Sequence, residues 1–170
     1  MPDVFDSALS IRAALNRKAL ADARHRAALA RRLGLTETEV LAVQHLARTG
    51  GLTPGQLATQ LQLSSGGTTG VVHRLQRAGH ITRGAHPLDR RSTVLRLTPT
   101  IEEPASEAWA PLVAELDTLA QQLPGDARDV VARFLESVAN AAEQHADRLA
   151  RDADAHAQSA LAVPLPALWA

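Results

Sequence analysis

The sequence predicts a mainly α protein with one small antiparallel sheet. Three observations carry that expectation. Hydrophobic residues make up 45% of the 170 positions, yet alanine and leucine supply most of them, and both favour helix. Phe5, Trp109, Phe134 and Trp169 are the only aromatic residues, and with few β-branched runs they are too few to build a large sheet. Apolar residues recur at three- and four-residue steps along most of the chain, whereas paired strand-like stretches fall within residues 80–97. The length fits one domain, or one domain with a long accessory segment.

Residues 5–32 form the first predicted helix. Leu9, Ala13, Leu20, Ala23, Ala27 and Ala30 make a shallow apolar stripe that permits close approach of another helix, and Gly34 is a plausible C-cap. Thr36 and Glu39 read as a capping box that opens a second helix running to about Arg48. Its expected buried positions are Val40, Leu41, Val43 or Gln44, and Leu46 or Ala47. Gly50 and Gly51 stop it, and Leu52 is expected to add a very short strand.

Thr53 and Pro54 open the third helix, with threonine as N-cap and proline at the first helical position, where its missing N–H is not needed. Leu57, Ala58 and Leu61 face inward. After a short turn, Ser64 or Ser65 caps a fourth helix to Ala78, with Val71, Val72 and Leu75 apolar and Gly79 as its left-handed stop. Two short helices joined by a few residues make a helix-turn-helix. Residues 80–83 and 92–97 then read as paired strands, with Val94 and Arg96 on one face and Thr93, Leu95 and Leu97 on the other. The eight residues from Gly84 to Arg91 are too many for a tight turn and read as a basic wing.

Thr98 and Pro99 repeat the Thr-Pro opening. The helix that follows carries Leu112, Leu116, Leu119 and Leu123 on one face, and Pro111 inside it predicts a kink or a break. A turn at 124–126 leads to a last helix over about 126–155, expected to bury Val130, Val131, Phe134, Leu135, Val138, Ala142 and Leu149. Residues 156–170 end as an apolar tail with two prolines.

The net charge is zero, but its distribution is uneven. Residues 1–63 carry eight Lys/Arg against five Asp/Glu, and residues 101–170 carry four against twelve. Residues 64–100 hold Arg74, Arg77, Arg83, Arg90, Arg91 and Arg96 against Asp89 alone, a net of +5. A basic middle beside an acidic C-terminal third lets one face approach phosphates.

Composition also excludes chemistry. With no cysteine there are no disulfides, thiolate metal ligands or cysteine redox sensing. The seven histidines show neither a helical His-x-x-x-His nor an acidic pairing that would hold zinc, so no metal and no cofactor are expected. No nucleophile, base and metal converge, so an enzyme is not expected. No apolar run approaches the ~18 residues of a membrane span. The N-terminus MPDVFDSALS lacks a basic region followed by an apolar core. A soluble, cytoplasmic protein with no membrane partner is the expectation.

Residues 33–98 resemble the MarR (multiple antibiotic resistance regulator) family. The matching features are Leu35-Thr36 with Glu39 three on, Leu57-Ala58, Leu63-Ser64, Arg74-Leu75, Ala78-Gly79, Arg83, Pro87, Asp89, Arg91 and Leu97-Thr98. The Asp-x-Arg after His-Pro is the most specific. The resemblance implies a winged helix-turn-helix DNA-binding domain over 33–98, flanked by helical dimerisation regions at 5–32 and 99–155. It also implies a homodimer and double-stranded DNA as partner. Two positions depart from the family pattern: His73 stands where an acidic residue is common, and Thr100 replaces the usual glycine after Leu-Thr-Pro.

The predicted function is therefore sequence-specific DNA binding by a transcriptional regulator, a ligand-responsive repressor on a pseudo-palindromic operator. The alternative is a winged-helix module that binds protein or ligand without DNA. On the recognition helix the candidate contacts are Ser65, Gly66, Gly67, Thr68, Thr69, His73, Arg74 and Arg77. Short hydroxyls suit base edges or phosphates near a helix N-terminus. Gly66, Gly67 and Gly70 each cost roughly 1 kcal/mol against alanine, which points to close approach by DNA or by the preceding helix. In the wing, Arg90 and Arg91 carry the charge, and by resemblance Arg91 reaches the minor groove while Asp89 orients it. Family members often bind small aromatic or anionic effectors, and Arg17, Arg24, His45 and Trp109 are the candidate lining residues here.

Overall fold

The computed structural model describes the backbone of residues 4–85 and 92–161. Six helices and two strands follow in the order α1 (Val4–Leu33), α2 (Glu37–Thr49), α3 (Pro54–Leu61), α4 (Ser65–Arg77), β1 (Ile81–Ala85), β2 (Thr93–Leu97), α5 (Pro99–Gln122) and α6 (Gly125–Leu161). The described residues divide into two compact units, one ending at Val113 and one beginning at Ala114.

The first unit is assembled on α2, which packs against α1, α3, α4 and β2. Its start is fixed by the expected capping box. The Glu39 N–H donates to Thr36 Oγ1 at 3.3 Å, and the Thr36 N–H donates to Glu39 Oε2 at 2.8 Å. Val40, Ala42, Val43 and Leu46 are its buried apolar residues. Leu41 is only half-buried and Ala47 is exposed, so the inward stripe runs through Ala42. Thr53 caps α3 in the same way, with Gln56 as the returning acceptor at 2.9 Å. Ser64 caps α4, accepting from the Gly67 N–H at 3.2 Å.

One core cluster joins these elements: Ala42, Val43, Leu46, Leu52, Leu57, Val71, Val72, Leu75, Ile81, Leu95, Ile101 and Ala105. Leu57 and Leu95 are fully buried, so truncating either to alanine should cost about 2–5 kcal/mol. A smaller cluster of Leu29, Ala30 and Val40 lies under Trp109.

β1 and β2 pair antiparallel, with Ile81 opposite Leu97 and Ala85 opposite Thr93. Leu52 adds the expected single bridge, to Leu95. Gly51 makes that bridge possible: a Cβ there would sit 2.8 Å from Val94 Cγ1, and its φ of +151° disfavours other residues. Strict alternation fails in β2, where Val94 and Leu95 are both buried because the chain at Gly51 covers the face that holds Val94.

Three further expectations change. α5 runs unbroken through Pro104 and Pro111. The carbonyls deprived of a donor belong to the exposed Thr100 and Glu107, where water can donate instead. Thr98 does not use its hydroxyl to cap α5; its Oγ1 donates to Gly79 O at 2.6 Å, tying the start of α5 to the end of α4. The apolar stripe of α1 is buried only at its C-terminal end, at Leu29 and Ala30, and the named apolar residues of α6 are exposed or half-buried. Leu9 and Leu20 are exposed, as are Val130, Val131, Phe134, Leu135 and Leu149.

Candidate nucleic-acid interface

α4 turns one face inward through Thr68, Val71, Val72 and Leu75. At 100° per residue, Gly66, Gly70, His73 and Arg77 lie opposite that face. Ser65, Gly66, Gly67, Thr69, His73, Arg74 and Arg77 are all exposed. The centre of the outward surface is thus a shallow strip of small residues followed by imidazole and guanidinium groups. Thr69 Oγ1 donates to Ser65 O at 2.7 Å, and its oxygen keeps lone pairs that can accept.

Thr68 is a correction. It is buried, and its Oγ1 donates to Ser64 O at 3.0 Å. Its place at the inward edge of α4, one turn before Val72, removes it from any surface a base could reach. The glycines are also clarified. Nothing lies within 4 Å of a Cβ built at Gly66, and one at Gly70 meets only Arg74 Nη1, at 3.6 Å. One at Gly67 meets the Ser64 hydroxyl at 3.4 Å and Leu63. Close packing on the preceding helix therefore does not explain Gly66 or Gly70.

Both flanks of α4 are braced. On the α2 side, Arg74 Nε donates to Glu39 Oε1 at 2.7 Å. On the β1 side, Arg83 Nε donates to Gln76 Oε1 at 3.1 Å. Burial pushes the Glu39 carboxyl up, but hydrogen bonds from Thr36 and Arg74, together with the Arg74 charge, outweigh it and hold Glu39 below the ordinary carboxylate value. Neither Glu39 nor Gln76 stood out in the sequence as part of this surface. Partners 35 residues apart leave no local spacing signal. Asp89, Arg90 and Arg91 lie outside the described residues.

The four candidate ligand residues do not converge within the first unit. Trp109 lines a cavity of about 420 Å³ with Ala47, Leu97, Glu102, Ala105 and Ser106 among its walls. Arg17 and Arg24 are exposed on α1, and neither they nor His45 line it. His45 is held below the usual histidine value by burial and by the Arg48 charge, with Arg48 Nη2 3.5 Å from its Nδ1. The Trp109 indole Nε1 is buried with no hydrogen-bond partner among the described residues. Among those residues no His, Asp and Glu cluster could hold a metal, and no helix is long and apolar enough to cross a membrane.

A capped helix-turn-helix, a second helix with a small polar outward face and a following two-stranded hairpin define a winged helix-turn-helix DNA-binding protein. Residues 33–92 match the family model described as MarR family. It is 29% identical over 125 residues to the uncharacterized HTH-type transcriptional regulator YcgE of Bacillus subtilis, covering 74% of this chain and 80% of that one. The fold is shared with a MarR family protein from Bacillus stearothermophilus, with a TM-score of 0.63, 19% identity and coverage of 83% of this chain and 99% of that one. It is also shared with NadR, solved in complex with 4-hydroxyphenylacetate, with a TM-score of 0.57, 23% identity and coverage of 77% and 92%. The model matched by residues 33–92 describes the MarR family, and the fold is that of these solved structures.

Proposed function

We propose that the chain is a ligand-responsive repressor that binds a pseudo-palindromic operator as a homodimer. The observation that carries the DNA reading is the outward face of α4: exposed, free of large apolar side chains, flanked by a braced arginine and set in a segment of net charge +5. α4 enters the major groove. Ser65, Thr69, His73 and Arg77 then face bases or phosphates, and Gly66 and Gly67 admit a close backbone. Arg91, oriented by Asp89, extends the contact into the adjacent minor groove, and Arg90 adds to the charge of the wing. The exposed apolar residues of α1 and α6 support dimerisation, because stripes of this size are normally covered. A two-fold dimer places its recognition helices about 34–36 Å apart, one helical turn of DNA.

An effector is supported by the cavity beside Trp109. Its walls are mostly apolar, with Glu102 and no basic residue among them, which favours an aromatic body over an anionic group. NadR's aromatic ligand supplies a first compound to try.

Footprinting on a duplex recovered from a random library tests the reading, with sedimentation for the dimer and a promoter reporter for repression. Two protected half-sites one turn apart are expected. Protection of no specific sequence would favour the ligand- or protein-binding alternative.

A further inference from the structure

Glu39 does more than a capping box requires. The box needs only an acceptor at the third helical position, and α3 meets that need with the neutral, exposed Gln56, at 2.9 and 3.2 Å. α2 uses a carboxylate and buries it, leaving the residue 6% exposed. A buried charge is unfavourable unless its lone pairs are filled and its charge is matched. Here Oε2 accepts from Thr36 and Oε1 from Arg74, at 2.8 and 2.7 Å. The charge is therefore matched across two elements, from the start of α2 to the flank of α4.

Arg74 fits the same arrangement from the other side. Its side chain is 55% exposed although one nitrogen is held by Glu39. Its Nη1 passes 3.6 Å from the point where a Gly70 Cβ would stand, so the guanidinium lies back along the outward strip of α4. A guanidinium offers five donors, and the bond to Glu39 uses only one through Nε. The outer edges remain for an anion approaching α4.

We infer that Glu39 is a positioning residue for DNA binding, holding Arg74 on the flank of α4 so that its outer edge meets a DNA phosphate. This rests on the DNA-binding reading above. Freed from Glu39, Arg74 would sample many rotamers, and the phosphate contact would have to order it at each encounter.

The test uses the full-length chain and a duplex recovered from a random library. Glu39→Gln keeps an acceptor for the capping box and removes the charge. It should weaken binding by about tenfold, the order expected for losing one charge-assisted contact. The slope of log affinity against log salt should become shallower by roughly 0.9 per arginine displaced, about 1.8 for the two Arg74 side chains of a dimer. A purely structural role would shift the melting temperature and leave that slope alone. In an Arg74→Ala background, Glu39→Gln should have no further effect on affinity or slope. The inference is overturned if Glu39→Gln binds with parental affinity and slope, if Arg74→Ala does so, or if Glu39→Gln weakens binding equally in both backgrounds. Failure of the parent chain to select any sequence would overturn this inference and the DNA-binding reading together. Parental binding with unchanged variants would overturn this inference alone.

Discussion

Gly66→Ala separates what a glycine does for the fold from what it does for DNA. The added methyl meets no atom within 4 Å, so it introduces no clash in the free protein. Gly66 lies in the first turn of α4, in helical backbone, where alanine restricts the unfolded chain more than glycine does. The folded state should gain at most about 0.5–1 kcal/mol. For a chain of this length that raises the melting temperature by about 1–4 °C. The DNA complex should respond in the opposite sense. Gly66 is at the middle of the outward strip with Gly70, His73 and Arg77, and a methyl forced into a tight contact typically costs about 1–3 kcal/mol. At 1.4 kcal/mol per factor of ten, affinity should fall by roughly fivefold or more for each recognition helix. Thermal denaturation and fluorescence anisotropy at fixed salt measure the two effects on one preparation. Parental affinity would refute close DNA approach as the reason for this glycine. A lowered melting temperature would refute the open space around it. Gly67→Ala is the poorer probe, because its methyl would touch the Ser64 hydroxyl that caps the helix.

If Arg91 contacts DNA as proposed, Arg91→Ala should reduce operator affinity by about tenfold or more, with sedimentation still reporting the oligomeric state of the parent. Thr36→Ala should lower stability by about 0.5–2 kcal/mol in urea titrations, because the Glu39 N–H loses its cap. Leu57→Ala should cost about 2–5 kcal/mol by the same assay, as the side chain is fully buried between α3 and the rest of the core. Glu39 is held below its ordinary value of 4.5 in the fold, so the unfolded chain takes up that proton first as pH falls. Its contribution is complete above about 4.5 and is lost as pH drops through the lower folded value. Acid unfolding of Glu39→Gln should therefore show a shallower limb below about pH 4.5 than the parent, and identical limbs would refute the assignment.

Much of the first unit was legible because its signals are local. A threonine three residues before Glu39, and another before Pro54, each satisfy backbone donors within one turn. The structure places the caps at those residues. Gln62 was not legible. It ends α3 with φ 51° and ψ 41°, a left-handed conformation that glycine or asparagine would announce and glutamine does not. Its N–H reaches Ala58 O and Thr59 O, so the turn is held by its neighbours rather than by its own preference. Thr68 was misread for a related reason. In sequence it is one hydroxyl among Ser65, Thr68 and Thr69, and only the rotation of α4 against the core decides which of them faces inward.

By itself, the sequence determined where α2, α3 and α4 begin, that a basic hairpin follows a helix-turn-helix, and which family the middle of the chain resembles. Capping, periodicity and charge density act over a few residues, and each can be read without knowing what lies opposite. The tertiary structure decided the rest: that Arg74 is held by Glu39 across 35 residues, that Arg83 is held by Gln76, and that Gly51 must be bare to let Leu52 pair with Leu95. It also left Leu9 and Leu20 of α1 and Val130, Val131, Phe134, Leu135 and Leu149 of α6 uncovered within one chain. Those are properties of pairs, set by how elements pack, and a side chain carries no mark of its partner until the chain has folded.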